Sequence, residues 1–378
     1  MAKNGFRIID SDLHLIEPAD LFERYLEEPY RTRAPRREAS VVSGQNTWSL
    51  NGHPTPYWID WPEFRVANAR LWQKKEDTPS QVEAFKRGFD AKSTLAAMDL
   101  EGVDIAPLYR SAAGVMCVAT DDIDPEFRIA LCRAYNNWLA DFCKTASDRL
   151  KGVALIPLHD VSMAVEEARR AVNDLGFVGV SLYPEPVSGQ SLYDPKIEPL
   201  WDALEALSVA VGIHGSSNST SKTEVSRRFL EHPAPRVVSH ALTFPFQTMA
   251  AAAGLLLSGV LERHPRLRVA FLEANCGWLP WFLYRLDEQA EKYADAELKQ
   301  EPSETFVRQC FISMDSDEEV ALDLVKRWGD DFIIVSTDYP HADSPFPHAM
   351  DGFLGLDLAE ETKRKILWDN CARLYHLS

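Results

Sequence analysis

The sequence predicts a (β/α)8 TIM barrel with an insertion after strand one. Three observations predict it. Short apolar runs recur eight times along the chain. Longer helix-like patterns separate them. Acidic and histidine residues gather where the runs end. Buried parallel strands read as near-continuous apolar runs, and eight β/α units favour a closed barrel over a doubly wound sheet.

FRIID (6–10) is the first run. VDIAPLY (103–109) follows the helical AKSTLAAMDLEG, and GVALIPL (152–158) follows FRIALCRAYNNWLADFCKTA. GFVGVSLYP (176–184) follows SMAVEEARRAVNDL, and SVAVGIH (208–214) follows PLWDALEAL. RVAFLEA (268–274) comes after MAAAAGLLLSGVLERHP, and CFISMD (310–315) after FLYRLDEQAEKYADAEL. DFIIVSTD (331–338) follows VALDLVKRWG, and the helix AEETKRKILWDNCARLYHL closes the chain. Residues 19–78 break the alternation with Pro, Trp and charge. They are expected as an insertion over the barrel mouth, within one domain spanning 1–378. Trp58 to Phe64 would be a lid, a dimer contact or a packed surface excursion.

The length, 378 residues, suits one barrel with an insertion. A formal net charge of -17 argues against nucleic acid and anionic membrane surfaces as partners. The six cysteines are scattered, without a CxxC pair, so reduced thiols in a cytoplasm are expected. MAKNGFRIID lacks the apolar core of a signal peptide, and no apolar run reaches the roughly 18 residues of a membrane helix.

A barrel places its chemistry at the C-terminal ends of its strands. Strand one ends in Asp12, His14 and Glu17. Strand five ends in His214, strand six in Glu273, and strand eight in Asp338 with His341 close behind. His240, in SHALTFPF, falls between strand five and its helix. Asp12 and His14 are two apart, so in extended chain both face the barrel interior; Asp10 shares their parity, deeper. Clustered carboxylates repel unless a cation sits among them. Carboxylate and imidazole donors suit Zn²⁺, Mn²⁺ or Fe²⁺.

Several of these residues have plainer roles open to them. Glu17 is expected among the metal's ligands, or, since it precedes Pro18, at a helix start. His341 could ligate or orient Asp338. Glu273 could ligate, act as acid/base, orient a histidine, or pair with Arg285. His240 could act as acid/base or ligand, or simply pack. Arg110, ending strand two, could fork onto a substrate carboxylate or bridge a site carboxylate. His159 ends strand three at the right face, but its neighbour Asp160 reads as a helix cap. His264 lies at the opposite end of the barrel.

The motifs IIDSDLHLIEP, GIHG, LLLSGVLERHPRLRVAFLEANCGWLPWFLYRLDE and STDYPH occur in this order over nearly the whole chain. In them the sequence resembles the amidohydrolase superfamily, in its amidohydrolase-related branch, like aminocarboxymuconate semialdehyde decarboxylase. The resemblance implies Asp12, His14, His214 and Asp338 as metal ligands, with Asp338 also able to take a proton. Two departures stand out. Decarboxylases of the branch carry a histidine at the end of strand six, where this chain has Glu273. Strand four ends LYPEP, without the lysine that bridges two metals in many hydrolases.

Three functions follow as expectations. The first is a metal-dependent hydrolase or decarboxylase acting on a small carboxylate-bearing substrate, with Glu273 or His240 moving a proton. The second is a dinuclear Fe or Mn oxygenase, resembling the 2-aminoisobutyric acid and diterpenoid hydroxylases of this branch. The third is a metal-keeping structural subunit paired with a paralogue. One or two divalent ions per chain, and a homo-oligomer, are expected.

Overall fold

The fold is described from a computed structural model covering residues 3–39, 46–50, 53–58, 79–119, 123–215, 232, 235–293, 297–341 and 344–378. Eight parallel strands follow one another around a barrel in chain order. They are Leu13–His14, Ala106–Tyr109, Leu150–Leu155, Gly179–Leu182, Ala210–His214, Arg268–Leu272, Cys310–Asp315 and Ile333–Ser336, referred to below as strands one to eight. Neighbours pair in steady register, for example His14 with Tyr109 and His214 with Leu272. Strand one meets strand eight through Ser11 N–H donating to the Val335 carbonyl at 3.0 Å and His14 N–H to that of Tyr339 at 2.8 Å. The expected run at 6–10 is extended backbone bridged at Ile9 to Ile105, and the strand proper forms further on.

Alternation decides what fills the barrel. Ile105, Tyr109, Val153, Ala210, Ala270, Leu272, Phe311 and Ile334 form the inner cluster. The C-terminal helix Asn370–Tyr375 adds Cys371, Leu374 and Tyr375 to it. The phenols of Tyr109 and Tyr375 meet at 2.7 Å, and Tyr375 also donates to the Ser11 carbonyl at 3.2 Å. Gly212 makes room for this pair: a Cβ there would lie 2.1 Å from the Tyr109 hydroxyl.

The surrounding helices start where the sequence predicts. Asp160 accepts from Met163 N–H at 2.9 Å and opens the helix Val161–Asn173, which buries Ala164, Glu167, Ala168 and Ala171 at helical spacing. Asp124 does the same for Pro125–Cys143. All six cysteines are buried and unbridged. The helix Pro235–Leu257 departs from expectation, because its stretch His240–Leu257 is long and apolar enough by composition to cross a bilayer. Its Ala- and Leu-rich sequence serves close packing: Ala251, Ala252, Leu255 and Leu256 are buried against the barrel and neighbouring helices.

Within the insertion, the helix Leu21–Tyr25 leads to a three-stranded antiparallel sheet of Arg36–Ala39, Asn46–Leu50 and His53–Trp58. Trp48 is 1% exposed, its ring edge-on to Phe22 at 5.4 Å. The strand His53–Trp58 packs beside the helix Ala112–Ala119, which begins just past strand two. Residues 59–64 of the aromatic stretch lie outside the described residues.

Candidate metal centre

Strands one and five deliver the two imidazoles by plain alternation. His14 and His214 are each 2% exposed, and their Nε2 atoms approach to 3.1 Å. His14 Nδ1 lies 2.8 Å from the Arg110 carbonyl, and His214 Nδ1 lies 2.9 Å from that of Gly215. A carbonyl only accepts, so each Nδ1 carries a hydrogen, and Nε2 is the atom each ring turns to the site. At that separation the two Nε2 atoms share either a proton, donated from His214 to His14, or a cation that both lone pairs face.

The carboxylates close around the same point. Asp12 Oδ2 is 3.3 Å from His214 Nε2, and Asp12 Oδ1, buried, has no hydrogen-bond partner. Glu273 Oε2 is 2.9 Å from His214 Nε2 and 3.6 Å from His14 Nε2. Asp338 Oδ1 is 3.5 Å from His14 Nε2. Donors bound at about 2.1 Å around one divalent ion sit about 3 Å apart, so this spacing and this N/O set fit such an ion. Asp12, His14 and His214 form one donor group; His14, Glu273, Asp338 and His341 form a second.

Alternation alone would not aim Glu273. Glu273 has φ 48° and Asp338 φ 55°, the left-handed region that side chains with a Cβ rarely adopt. Strand six faces inward at Ala270 and Leu272, so a regular continuation would turn Glu273 outward. The left-handed turn brings it over the mouth instead. Below, the buried Asp10 accepts from Thr337 N–H and Oγ1 and from Asp12 N–H, tying the end of strand one to that of strand eight.

Electrostatics express the crowding. Burial, helped by nearby His341, holds His14 down to about 4. At His214 burial acts the same way but is overridden by Asp12 and Glu273, which push it up to about 10. Burial opposes ionisation of Glu273, yet His214 and His14 pull it well below the usual carboxylate range. A positive charge is thus held among these carboxylates, where a cation would take its place.

The other expected residues are placed as follows. His341 Nδ1 bonds Asp338 Oδ1 at 2.7 Å and its ring stacks 4.1 Å from that of His14, so it both orients Asp338 and belongs to the second group. Glu17, expected as a ligand, is in neither donor group: its Oε1 accepts from Ser111 N–H at 2.9 Å and Gly114 N–H at 3.1 Å, capping the helix Ala112–Ala119. The reason is local, since that helix starts beside strand one with unmet N–H groups. His240 lies within the helix Pro235–Leu257 rather than ahead of it, its ring 5.3 Å from Phe244, and it is in neither donor group. Arg110 is 2% exposed and donates from Nη2 to the His214 carbonyl at 2.6 Å, reaching across the mouth from strand two to strand five. Arg285 pairs with Glu288, not with Glu273.

One residue at the mouth escaped the sequence reading. Strand seven faces inward at Phe311 and Ser313, so its last residue, Asp315, faces the mouth. Asn275 donates to it at 2.7 Å, and Glu318 latches the neighbouring loop by accepting from the Cys276 and Gly277 N–H groups. Asp315 keeps an exposed tip, yet the enclosing walls and the carboxylates of Glu318 and Glu273 push it up to about 7. Inward parity at a strand end was the signal available.

The profile of the amidohydrolase family matches residues 9–377. This chain therefore belongs to the amidohydrolase family, and it is a metal-dependent enzyme of the hydrolase/lyase kind. A gamma-resorcylate decarboxylase from Rhizobium sp. (strain MTP-10005) is 29% identical over 298 residues, covering 75% of this chain and 86% of that protein. A 2-amino-3-carboxymuconate-6-semialdehyde decarboxylase from Dictyostelium discoideum is 25% identical, covering 65% of this chain and 66% of its own. An amidohydrolase structure from Mycobacterium avium subsp. paratuberculosis K-10 superposes with a TM-score of 0.77 at 21% identity, over 98% of this chain and 99% of that one. A dihydroxybenzoic acid decarboxylase from Polaromonas sp. JS666, solved with bound manganese and 2-nitroresorcinol, gives 0.66 at 20% identity, over 98% and 97%.

Proposed function

We propose that this chain is a metal-dependent decarboxylase of a small carboxylic acid, with Asp12, His14, His214 and Asp338 holding the ion. One observation carries the reading: two buried imidazoles turn their Nε2 atoms toward one another within reach of three carboxylates at the mouth of the barrel. Bound there, a divalent ion supplies Lewis-acid polarisation of substrate oxygens. In the reaction the bond between carbon and carboxylate breaks, CO2 leaves, and the carbon keeps the electron pair and takes a proton. Glu273, ionised beside His214, relays that proton to the carbon, taking it first from Asp315. Asp315, electrostatically coupled to Glu273 and protonated up to about pH 7, resupplies it from the solvent side. His341 fixes the orientation of Asp338 through the 2.7 Å bond. Decarboxylation also agrees with the named activities of the relatives.

A second reading, two ions and oxygen chemistry, is favoured by the two donor groups. They share His14, whose Nδ1 is occupied by the Arg110 carbonyl, so its single Nε2 can serve one ion only. That weighs toward a mononuclear centre. The test is metal content per chain together with CO2 release from hydroxybenzoic acids, with and without oxygen. About one Zn or Mn per chain and oxygen-independent CO2 release is expected. Two ions with iron among them and an oxygen requirement would overturn it.

We take the chain to work as a homo-oligomer in the cytoplasm. Exposed Trp281, Tyr284 and Phe246 on two neighbouring helices and the buried, unbridged thiols support this. Light scattering after gel filtration tests the oligomer, and a monomer would remove it.

A further inference from the structure

Strands one and five stand four places apart in the ring of eight, on opposite sides of the barrel. Yet Asp12 Oδ2 and His214 Nε2 are held at 3.3 Å, and the Nε2 atoms of His14 and His214 at 3.1 Å. A metal site works only when its donors are held to about 0.5 Å, so the width of the mouth has to be fixed. Two phenols span the gap beneath it. Tyr109 leaves strand two and crosses to strand five, where a Cβ on Gly212 would lie 2.1 Å from its hydroxyl. Its ring stacks on that of His214, with centroids 5.7 Å apart and planes at 25°. Gly212 and His214 are two apart on one face, so the phenol passes just below the expected ligand. Tyr375 comes from the C-terminal helix Asn370–Tyr375 and donates to the Ser11 carbonyl at 3.2 Å, one residue before Asp12. The two hydroxyls meet at 2.7 Å. A carbonyl only accepts and a neutral phenol has one hydrogen, so the order is set: Tyr109 donates to Tyr375, and Tyr375 to Ser11.

The helix that carries Tyr375 is itself tied to the far end of the barrel. In the helical turn Lys365–Asp369 just before it, the Leu367 carbonyl accepts from Ile9 N–H at 2.8 Å. Asn370 Nδ2 donates to the Ile333 carbonyl at 2.8 Å, and Arg268 Nε donates to that of Leu374 at 2.9 Å. Ile9 leads into strand one, Arg268 opens strand six and Ile333 opens strand eight. The helix is thus anchored to the strands that lead to Asp12, Glu273 and Asp338. Tyr109 is 0% exposed and Tyr375 3% exposed, so both act from below the mouth, away from substrate.

We propose that Tyr109 and Tyr375 are positioning residues for the metal centre: their hydroxyl chain braces strand five against the start of strand one, and sets the angle at which the His214 ring meets the ion. The C-terminal helix is then part of the ion's support as well as a plug in the barrel. This rests on the metal-binding reading of Asp12, His14 and His214; it is independent of the decarboxylase reading.

The test measures the Zn²⁺ dissociation constant, by competition with a chromophoric chelator, beside the visible absorption of the Co²⁺-loaded protein. The proteins are wild type, Tyr375→Phe, Tyr109→Phe and the double variant. Phenylalanine keeps each ring and its packing and removes only the hydroxyl. Each single variant should weaken Zn²⁺ binding about tenfold, as loss of a group that orients a ligand does, and should shift the Co²⁺ bands. The double variant should bind no more weakly than the singles, because breaking either link opens the same chain. Cys371→Ala is the control, since Cys371 is 0% exposed in the same helix and the same inner cluster. It should lower the melting temperature of the metal-free protein and leave the Zn²⁺ affinity and Co²⁺ bands where they are. Equal affinity and unmoved bands in the Phe variants would overturn the brace. So would an equal weakening in Cys371→Ala, which would mean general loosening of the helix. A wild-type chain that takes up no divalent ion would remove the metal reading itself, and the brace with it.

Discussion

The mouth of this barrel has two unlike halves. Strands one, six, seven and eight end in carboxylates: Asp12, Glu273, Asp315 and Asp338. Strands two to four end in Arg110, His159 and Tyr183, with Arg128 behind them. His214 on strand five joins the halves, with Nε2 toward the acids and its carbonyl toward Arg110. The acidic half suits a cation, and the half with Arg110 and Arg128 suits an anion. A substrate spanning both would be oriented by charge before any chemistry occurs.

The largest expected effect comes from emptying the acidic half of its donors. His14→Ala removes the imidazole shared by both donor groups. Metal content should fall to a small fraction of one ion per chain, and CO2 release by a factor of about 10³ or more. Retained metal with full activity would break the comparison outright. Glu273→Gln should keep the ion, because four other donors remain, and lower kcat by about 10²–10³, as removal of a general acid does. Elemental analysis beside the kinetics separates the two outcomes.

How much of this was legible in the sequence depended on backbone geometry. His14 and His214 were readable because regular alternation carries them inward. The barrel was readable because buried strands are continuous apolar runs. Asp338 shares the inward parity of Ile334 and Ser336 and was legible, whereas the aim of Glu273 depends on a left-handed residue that no period predicts. Glu17 was misread because its partner helix, Ala112–Ala119, is distant in sequence and near in space. Asp315 obeyed the alternation rule but stood in no histidine-rich motif.

Glu17→Ala leaves two helix N–H groups without their acceptor, and should cost about 1–3 kcal/mol in urea unfolding. Metal content should stay unchanged. Loss of metal with unaltered stability would restore Glu17 as a ligand. Asp315→Asn probes the acidic half more gently. Asp315 is pushed up to about 7, so a kcat limb falling as pH rises through about 7 is expected in wild type. The limb should flatten in the variant, and an unmoved limb would take Asp315 out of the proton supply.

The smallest effect tests the cationic half through stability. Burial, with Arg128 beside it, holds His159 down to about 3, against about 6.5 in an unfolded chain. Between those values the unfolded state binds the extra proton. The contribution is therefore complete above about pH 6.5 and is lost progressively as pH falls toward 3. At pH 5.5 the loss is on the order of 1 kcal/mol, reduced because His159 is only partly buried. Other groups titrate in the same window, so the informative quantity is the difference between wild type and His159→Gln, unfolded in urea at pH 7.5 and 5.5. Wild type should lose more than the variant by about that amount. Parallel losses in the two proteins would mean that strands two to four carry no excess positive charge, and the two halves of the mouth would not differ as their residues suggest.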